Sequence, residues 1–140
     1  MITVQKVEPM YVQQVWPMVE PWLDPVFEKS QLSNYYSKDN LKDYIIRGEQ
    51  TMLVGFDENQ ELQGSVMIQW CNYPNSRVAY VTAFGANIGK EIEIYAEFIV
   101  WLKSMGATRV ECSVRPSVAR LLKNKMGFTA SKQITMELKL

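Results

Sequence analysis

Two glycines in one short stretch have a spacing that could serve chemistry on a phosphate group. The stretch AFGANIGKEIEI runs from Ala83 to Ile94 and carries Gly85 and Gly89 between an apolar, strand-like run and a helix start. A strand, a glycine turn and a helix N-terminus together can bind phosphate, because backbone N–H groups at the helix start point towards the anion. The same residues could equally form a plain connection between the strand and the helix.

The charges that follow these glycines favour the plain connection. Glu91 and Glu93 lie in the first turn of the predicted helix, directly after Lys90. Carboxylates in the first turn stabilise a helix by about 0.3–1 kcal/mol, yet they repel a bound polyanion. We therefore favour a structural helix start and keep a phosphate site as the alternative.

The composition argues against several other classes of site. The 140-residue chain has no histidine, which excludes Ser-His-Asp and Cys-His catalysis, and no metal site is expected. Cys71 and Cys112 are distant from each other in apolar runs, so we assign neither thiol a role and infer a reducing compartment. Fifteen basic and fifteen acidic residues balance, so no nucleic-acid partner is expected. No apolar run approaches the length of a membrane span, and we expect a cytoplasmic protein without a membrane partner.

The spacing of apolar residues predicts one α/β domain that includes residues 1–140. Helices are expected at 37–47, 88–105 and 118–126, and strands at 2–7, 51–56, 62–70, 77–84, 110–114 and 133–140. Strands alternate with helices only in the second half of the chain. This order favours a mixed, mostly antiparallel sheet with helices on both faces.

The segment from Tyr11 to Phe27 is harder to assign. Three prolines, spaced four residues apart, interrupt it: Pro17, Pro21 and Pro25. A proline inside a helix lacks a backbone donor and clashes with the preceding turn, so we predict one short helix with irregular turns. Trp16 and Trp22 are interpreted as packing this segment onto the domain, with a substrate or partner surface as the alternative.

The long helix predicted at 88–105 carries two apolar stripes. One consists of Ile92, Ala96 and Ile99, and the other of Ile94, Phe98, Trp101 and Met105. Because only one face of such a helix normally packs on the sheet, the second stripe needs a cover. We expect the N-terminal segment to supply it. The alternative is a protein-partner or homodimer surface formed by Ile94, Phe98 and Trp101.

The order of the elements and one local motif resemble the GNAT superfamily of acetyl-CoA-dependent N-acetyltransferases. The motif, VECSVRPSVARLLKNKMGF, runs from Val110 to Phe128 and has Ala119, Leu122 and Gly127 at the GNAT spacing. The resemblance extends over nearly the whole chain and implies a single GNAT-like domain. It also implies an acetyl-CoA site, here vestigial, at Phe84, Gly85, Gly89 and Lys90.

Three features of active GNAT enzymes are missing at the matching positions. The loop motif Gln/Arg-x-x-Gly-x-Gly/Ala fails in both registers. With Gly89 as its first glycine, Ala86 and Glu91 occupy the first and last positions, and with Gly85 these are Thr82 and Asn87. The tyrosine that protonates the leaving thiolate in many of these enzymes is replaced by Lys123. The central strand offers Tyr80 and Thr82 but no carboxylate as general base. The comparison therefore implies a degenerate site, with no assigned catalytic residue and no cofactor expected.

A narrower resemblance is to small GNAT-like proteins of tailed bacteriophages. VQQVWPMVEPWL, from Val12 to Leu23, resembles their opening, and Tyr73-Pro74 resembles the turn before their central strand. Some such proteins in short-tailed phages assist head assembly and the loading of ejection proteins. This resemblance implies a role in virion assembly through protein contacts in the host cytoplasm. The alternative is an N-acetyltransferase that moves acetyl from acetyl-CoA to an amine, and a domain that only binds coenzyme A lies between the two.

Overall fold

Five strands and four α-helices make up the chain, which a computed structural model describes from Met1 to Leu140. The strands are β1 (Thr3–Lys6), β2 (Thr51–Phe56), β3 (Leu62–Tyr73), β4 (Ser76–Ala86) and β5 (Arg109–Cys112). The helices are α1 (Val12–Lys29), α2 (Lys38–Ile46), α3 (Glu91–Ser104) and α4 (Pro116–Met126). Short 3-10 turns at Pro9–Tyr11 and Gln31–Asn34 flank α1. None of the helices combines the length and the apolar character needed to cross a membrane.

The strands form one sheet in the order β1-β2-β3-β4-β5. The first three pairings are antiparallel, and β4 and β5 run parallel. Parallel neighbours require a crossover, which α3 provides between β4 and β5. The predicted mixed, mostly antiparallel sheet is thus confirmed.

Helices cover both faces of the sheet, as predicted. On β2, Met52 and Val54 join the core beneath α1 and α2, whereas Leu53 joins the core beneath α3 and α4. This division follows from the two-residue period of a strand, which sends successive side chains to opposite faces. The result is two hydrophobic layers, one on each side of the sheet.

Helix α1 corrects the prediction of a short helix with irregular turns. It runs unbroken for 18 residues through all three prolines. The buried side chains of α1 are Val12, Trp16, Val19 and Leu23, and the prolines lie on the opposite, exposed side. Their four-residue spacing keeps the missing donors on one face, where solvent can satisfy the carbonyl groups left without a partner. Burial of the apolar stripe then outweighs the local cost of the prolines.

Local sequence signals mark the start of α2 and both ends of α4. Ser37 caps α2 by accepting a hydrogen bond from the Asn40 N–H at 3.0 Å, and the Asn40 side chain accepts one from the Ser37 N–H at 2.9 Å. Pro116 occupies the first turn of α4, where its missing donor costs little. Gly127 ends α4 in the left-handed conformation with φ of 74°. These ends lie within two residues of the predicted ones.

The strand predicted at 133–140 is not formed. The residues after α4 have no regular secondary structure, and Ile134, Met136 and Leu138 are at least 80% exposed. An alternating apolar pattern makes a strand only when a neighbouring strand accepts its hydrogen bonds. Strand β5 pairs with β4 alone, so the C-terminal segment has no such neighbour here.

Candidate functional site

A cavity of about 330 Å³ opens where β4 and β5 separate. The pairing of these strands ends at Val81 and Cys112, whereas β4 continues to Ala86 in contact with β3 alone. The cavity walls come from β4, the end of α1, the start of α3, the end of β5 and α4, and include Thr82, Phe84, Glu91, Tyr95, Cys112 and Leu122. A second depression, on α2, is more open to solvent and shares no lining residue with this cavity.

A β-bulge in β4 lies next to this cavity. Met67 of β3 pairs with Ala83 and Ile68 pairs with Val81, which leaves Thr82 as the extra residue. A bulge bends its strand and increases the local twist, so β4 turns away from β5 at the point where their pairing ends. The Thr82 hydroxyl donates a hydrogen bond of 2.8 Å to Oε1 of the buried Gln50. Thr82 therefore has a structural partner and is not a free base.

The two glycines of the candidate phosphate loop have structural roles, one in helix packing and one in backbone conformation. A Cβ atom on Gly85 would overlap the Cβ of Trp22 on α1, so Gly85 allows α1 to approach β4. Gly89 has φ of +85° and no atom within 4 Å of the position of a Cβ, so it is needed for its conformation alone. Of the other residues predicted for a vestigial cofactor site, Phe84 lines the cavity and Lys90 directly precedes α3.

A chain of hydrogen bonds holds the loop before α3. The Trp22 Nε1–H donates to Asn87 Oδ1 at 3.3 Å, and Asn87 Nδ2 donates to Gln63 Oε1 at 2.9 Å. Gln63 Nε2 in turn donates to Asp57 Oδ2 at 2.8 Å, and the Asn87 N–H donates to the Gln63 carbonyl at 2.9 Å. This network ties the loop to α1 and to the β2–β3 turn.

The helix start carries two carboxylates in different environments. Glu93 lies 3.8 Å from Lys90 Nζ and 3.8 Å from the N-terminal ammonium of Met1. Glu91 forms no ion pair and lines the cavity. The N–H groups of residues 91–93 have no acceptor within the chain, so the helix start retains donors for an anion. Glu93 is thus paired with two positive groups, and Glu91 carries the unpaired negative charge that would repel such an anion.

A buried tyrosine and a partly buried cysteine meet in the cavity wall. The Tyr95 side chain is 7% exposed, and its hydroxyl is shielded from solvent beside the Cys112 thiol. Burial raises the pKa of Tyr95, and the neighbouring Cys112 thiol raises it further. Burial also raises the pKa of the Cys112 thiol, so Cys112 stays protonated at neutral pH and is a poor nucleophile. The Tyr95 ring packs edge-on against Phe84, with 4.9 Å between the centroids.

Of the positions tested in the sequence as acid or base, Thr82 alone lines this cavity. Lys123 is exposed and does not line it. The Tyr80 hydroxyl donates a hydrogen bond of 3.0 Å to Ser113 Oγ. Glu91 and Tyr95 were not predicted to share a cavity, although both line it. Their four-residue spacing on one helix face was the available signal.

Most of the predicted partner surface is buried, contrary to the expectation that it is exposed. Ile94 and Phe98 are 0% and 1% exposed and pack beneath α3 against the sheet. Trp16, in the second-choice surface, is 4% exposed. Trp101 and Trp22 are half-buried and pack against the two cores. Nor does the N-terminal segment cover α3, since α1 lies on the opposite face of the sheet.

Comparisons with known proteins agree with this architecture. No protein-family model matches the sequence, and no curated protein matches it. Among solved structures, the aminoglycoside acetyltransferase meta-AAC0020, from an uncultured soil metagenomic sample and in complex with sisomicin, has a TM-score of 0.69 at 12% identity, over 99% of this chain and 95% of that one. AAC(6')-Iy, in complex with the bisubstrate analogue CoA-S-monomethyl-acetylneamine, has a TM-score of 0.63 at 12% identity, over 100% and 99% of the two chains.

A third solved structure extends the agreement to another acetyltransferase. The aminoglycoside 6'-N-acetyltransferase AAC(6')-Ih from Acinetobacter baumannii has a TM-score of 0.64 at 10% identity, over 100% of this chain and 99% of that one. At these identities the likeness concerns the fold. The chain therefore has the GNAT fold, the fold of the acetyltransferases to which it is similar from end to end.

Proposed function

We propose that this chain is an N-acetyltransferase that moves acetyl from acetyl-CoA to an amine. The observation that carries the proposal is the cavity at the point where β4 and β5 separate, beside the bulge at Thr82. It lies in a chain whose full-length structural neighbours are acetyltransferases. The relative solved with a CoA-containing bisubstrate analogue supports coenzyme A as the carrier of the acyl group.

The cavity is suited to an apolar acyl arm. Most of its wall is hydrophobic, including Phe84 and Leu122. Beyond Val81 the edge of β4 that faces β5 is unpaired, so backbone groups along it are free to bind a carbonyl group or an amide. Backbone donors fixed near an acyl carbonyl stabilise the negative charge that develops on its oxygen.

The reaction requires little from individual side chains. The amine nitrogen attacks the thioester carbonyl carbon, a C–N bond forms, the C–S bond breaks, and the thiolate leaves while the amine loses a proton. Holding the two reactants in line supplies a large part of the rate of such a transfer. The absence of a tyrosine at position 123 therefore lowers the expected rate without removing the activity.

The helix start is a weaker match to coenzyme A than the cavity is. Its free N–H groups suit a diphosphate, whereas the unpaired carboxylate of Glu91 opposes it. We therefore expect modest affinity for acetyl-CoA.

A role in phage head assembly rests on sequence resemblance alone. The acetyltransferase structures named above provide no link to phages, and the aromatic surface expected to bind a partner is largely buried. For these reasons the acetyltransferase is the function we put forward.

The test combines ligand binding with activity. Acetyl-CoA is titrated by calorimetry and by thermal unfolding, and thiol release is followed with a panel of primary amines, aminoglycosides among them. Ligand at one hundred times its dissociation constant should stabilise the fold by about 2.7 kcal/mol. An unchanged melting temperature at millimolar acetyl-CoA would overturn the proposal.

A matched pair of variants shows whether binding occurs in the cavity. Val114 lines the cavity and is 42% exposed, whereas Val100 lies on the outer face of α3 and is 61% exposed. Val114→Trp should abolish stabilisation by acetyl-CoA, and Val100→Trp should leave it intact. Equal effects of the two substitutions would place the ligand elsewhere.

A further inference from the structure

Gln50 is a buried polar side chain with a single hydrogen-bond partner. It lies directly before β2 and is 5% exposed, although burying an amide is unfavourable unless it is hydrogen-bonded. Its Oε1 accepts a hydrogen bond of 2.8 Å from the Thr82 hydroxyl, and its side chain makes no other. The second buried glutamine, Gln63, differs because it bonds to both Asp57 and Asn87. The one side chain that Gln50 holds is thus that of Thr82.

Through this hydrogen bond, Gln50 fixes a group on the cavity wall. Thr82 is only partly buried, lines the cavity and directly follows Val81, the last residue of β4 that pairs with β5. A hydroxyl group can donate one hydrogen bond and accept two. The Thr82 proton is committed to Gln50, and no group of the protein donates to its oxygen, so both lone pairs remain available. Thr82 therefore provides an acceptor of fixed direction where the two strands separate.

The other exposed or partly exposed hydroxyl groups of the wall already accept hydrogen bonds from the protein. Ser30 Oγ donates to the Val26 carbonyl at 2.7 Å and accepts from the Leu32 N–H at 3.2 Å. Ser113 Oγ accepts the hydrogen bond of the Tyr80 hydroxyl at 3.0 Å. The single carboxylate of the lining lies apart from them, at the start of α3. The wall thus has one accessible hydroxyl oxygen without a donor, and it lies at the strand separation.

We propose that the Thr82 hydroxyl accepts a hydrogen bond from the N–H of the acceptor amine, and that Gln50 is the positioning residue that fixes its direction. This inference rests on the proposed function and names the residues that orient its nucleophile. An amine with one N–H bound to Thr82 keeps its lone pair free to attack the thioester carbon. The unpaired edge of β4 beyond Val81 is close by to bind the carbonyl oxygen, so both reactants are oriented at one place.

Thr82 orients the amine and does not act as a base. The neutral amine attacks, the C–N bond forms and the C–S bond breaks, and the amine then releases its proton to solvent. The leaving thiolate takes a proton from solvent, so the overall reaction is balanced. Thr82 keeps its own proton, which stays bonded to Gln50. The rate should therefore rise with pH as the free amine itself loses its proton, and this profile should not depend on the Thr82 hydroxyl.

The first test is Thr82→Val, which replaces the hydroxyl with a methyl group. It should lower kcat/KM for the amine about ten-fold, the usual effect of one lost hydrogen bond, and leave the Kd of acetyl-CoA and the shape of the pH profile unchanged. Thr82→Ser retains the hydroxyl and should keep most of the activity. The control is Thr108→Val, since the Thr108 hydroxyl bonds to the backbone of Arg77 away from the cavity. It should change neither constant.

The second test is Gln50→Met, which removes the acceptor and keeps an unbranched side chain. It should lower kcat/KM for the amine about as much as Thr82→Val does, and it should have no further effect when combined with Thr82→Val. A merely structural role would instead give losses that add. Ser65→Ala is the control, because it removes a buried hydrogen bond, to the Leu53 carbonyl at 2.9 Å, outside the cavity. Each variant is assayed well below its own melting temperature.

The outcomes separate the parts of the proposal. Unchanged kcat/KM in Thr82→Val would overturn the role of Thr82. Weaker binding of acetyl-CoA in that variant would assign the hydroxyl to the acyl donor and overturn its assignment to the amine. Additive losses in the double variant would overturn the role of Gln50. Failure of the unsubstituted protein to bind acetyl-CoA would overturn this inference together with the proposed function.

Discussion

Gly85 of β4 and Trp22 of α1 are in direct contact through their backbones. A Cβ atom at position 85 would overlap the Cβ of Trp22 and lie 3.1 Å from its carbonyl oxygen. The same tryptophan donates a hydrogen bond to Asn87, two residues further along the chain. A glycine that the sequence offers for phosphate binding is thus the point at which α1 docks on the central strand.

Gly85→Ala should lower the free energy of unfolding by about 1–3 kcal/mol, the usual cost of overpacking a core. Backbone and Cβ atoms of Trp22 have no rotamer by which to avoid the new methyl group. Urea unfolding measures the effect. The control is Gly48→Asn, at an open position with φ of +82°, where asparagine tolerates the left-handed conformation and the change should be much smaller. Wild-type stability in Gly85→Ala would refute the contact.

Glu91→Gln should tighten acetyl-CoA binding about five-fold at low ionic strength. One charge a few ångströms from a phosphate interacts by about 1 kcal/mol in water, and salt screens the interaction. Isothermal titration at 0.05 M and 1 M salt should show the gain and its disappearance. Glu97→Gln, further along the same helix, serves as the control. The same gain in that variant, or a gain that survives high salt, would exclude a local effect at the helix start.

Deletion of residues 133–140 should change the free energy of unfolding by no more than about 0.5 kcal/mol. The apolar side chains of this segment are exposed and contribute to neither hydrophobic layer. Leu122→Ala, at a buried position on α4, should by contrast cost about 2–5 kcal/mol. If the deletion proved as costly as Leu122→Ala, the segment would have to pair with the sheet.

Asp57→Asn should flatten the dependence of stability on pH in acid. The N–H of Glu61 above all, then the N–H of Asn59 and the Gln63 amide, hold the pKa of Asp57 below its usual 3.8. A lowered carboxyl pKa contributes stability that is complete above the unfolded value and is lost as the pH falls through the folded value. Melting temperatures from pH 2 to pH 7 test this. Asp39→Asn, whose carboxylate is 88% exposed, should leave the acid limb unchanged.

Elements whose ends are marked by neighbouring residues were predictable from the sequence. The helix predicted to begin at residue 37, the turn at Tyr73-Pro74 and the glycine at 127 all appear where expected. These signals act within one or two turns of chain, so they need no knowledge of the fold. The mixed sheet followed from their order.

Long-range contacts determined the features that the prediction missed. The prolines of α1 argue locally against a helix, and only the burial of Val12, Trp16, Val19 and Leu23 against the sheet compensates for them. Ile94 and Phe98 would form an apolar stripe whether they were buried in the domain or exposed to a partner. Only the packing of α3 on the sheet shows that the stripe is buried. The alternating apolar pattern at 133–140 has no neighbouring strand to pair with, so the segment does not form a β-strand.

The amino-acid sequence by itself determined the order of the elements, the resemblance to an acetyltransferase fold and the charge at the start of α3, because these depend on residue type and near spacing. The tertiary structure decided where the candidate chemistry lies. It assigned Gly85 to the docking of α1, and it placed Tyr95 and Cys112 side by side in the wall of the cavity between β4 and β5. Both depend on surfaces brought together from distant parts of the chain, which no local pattern records.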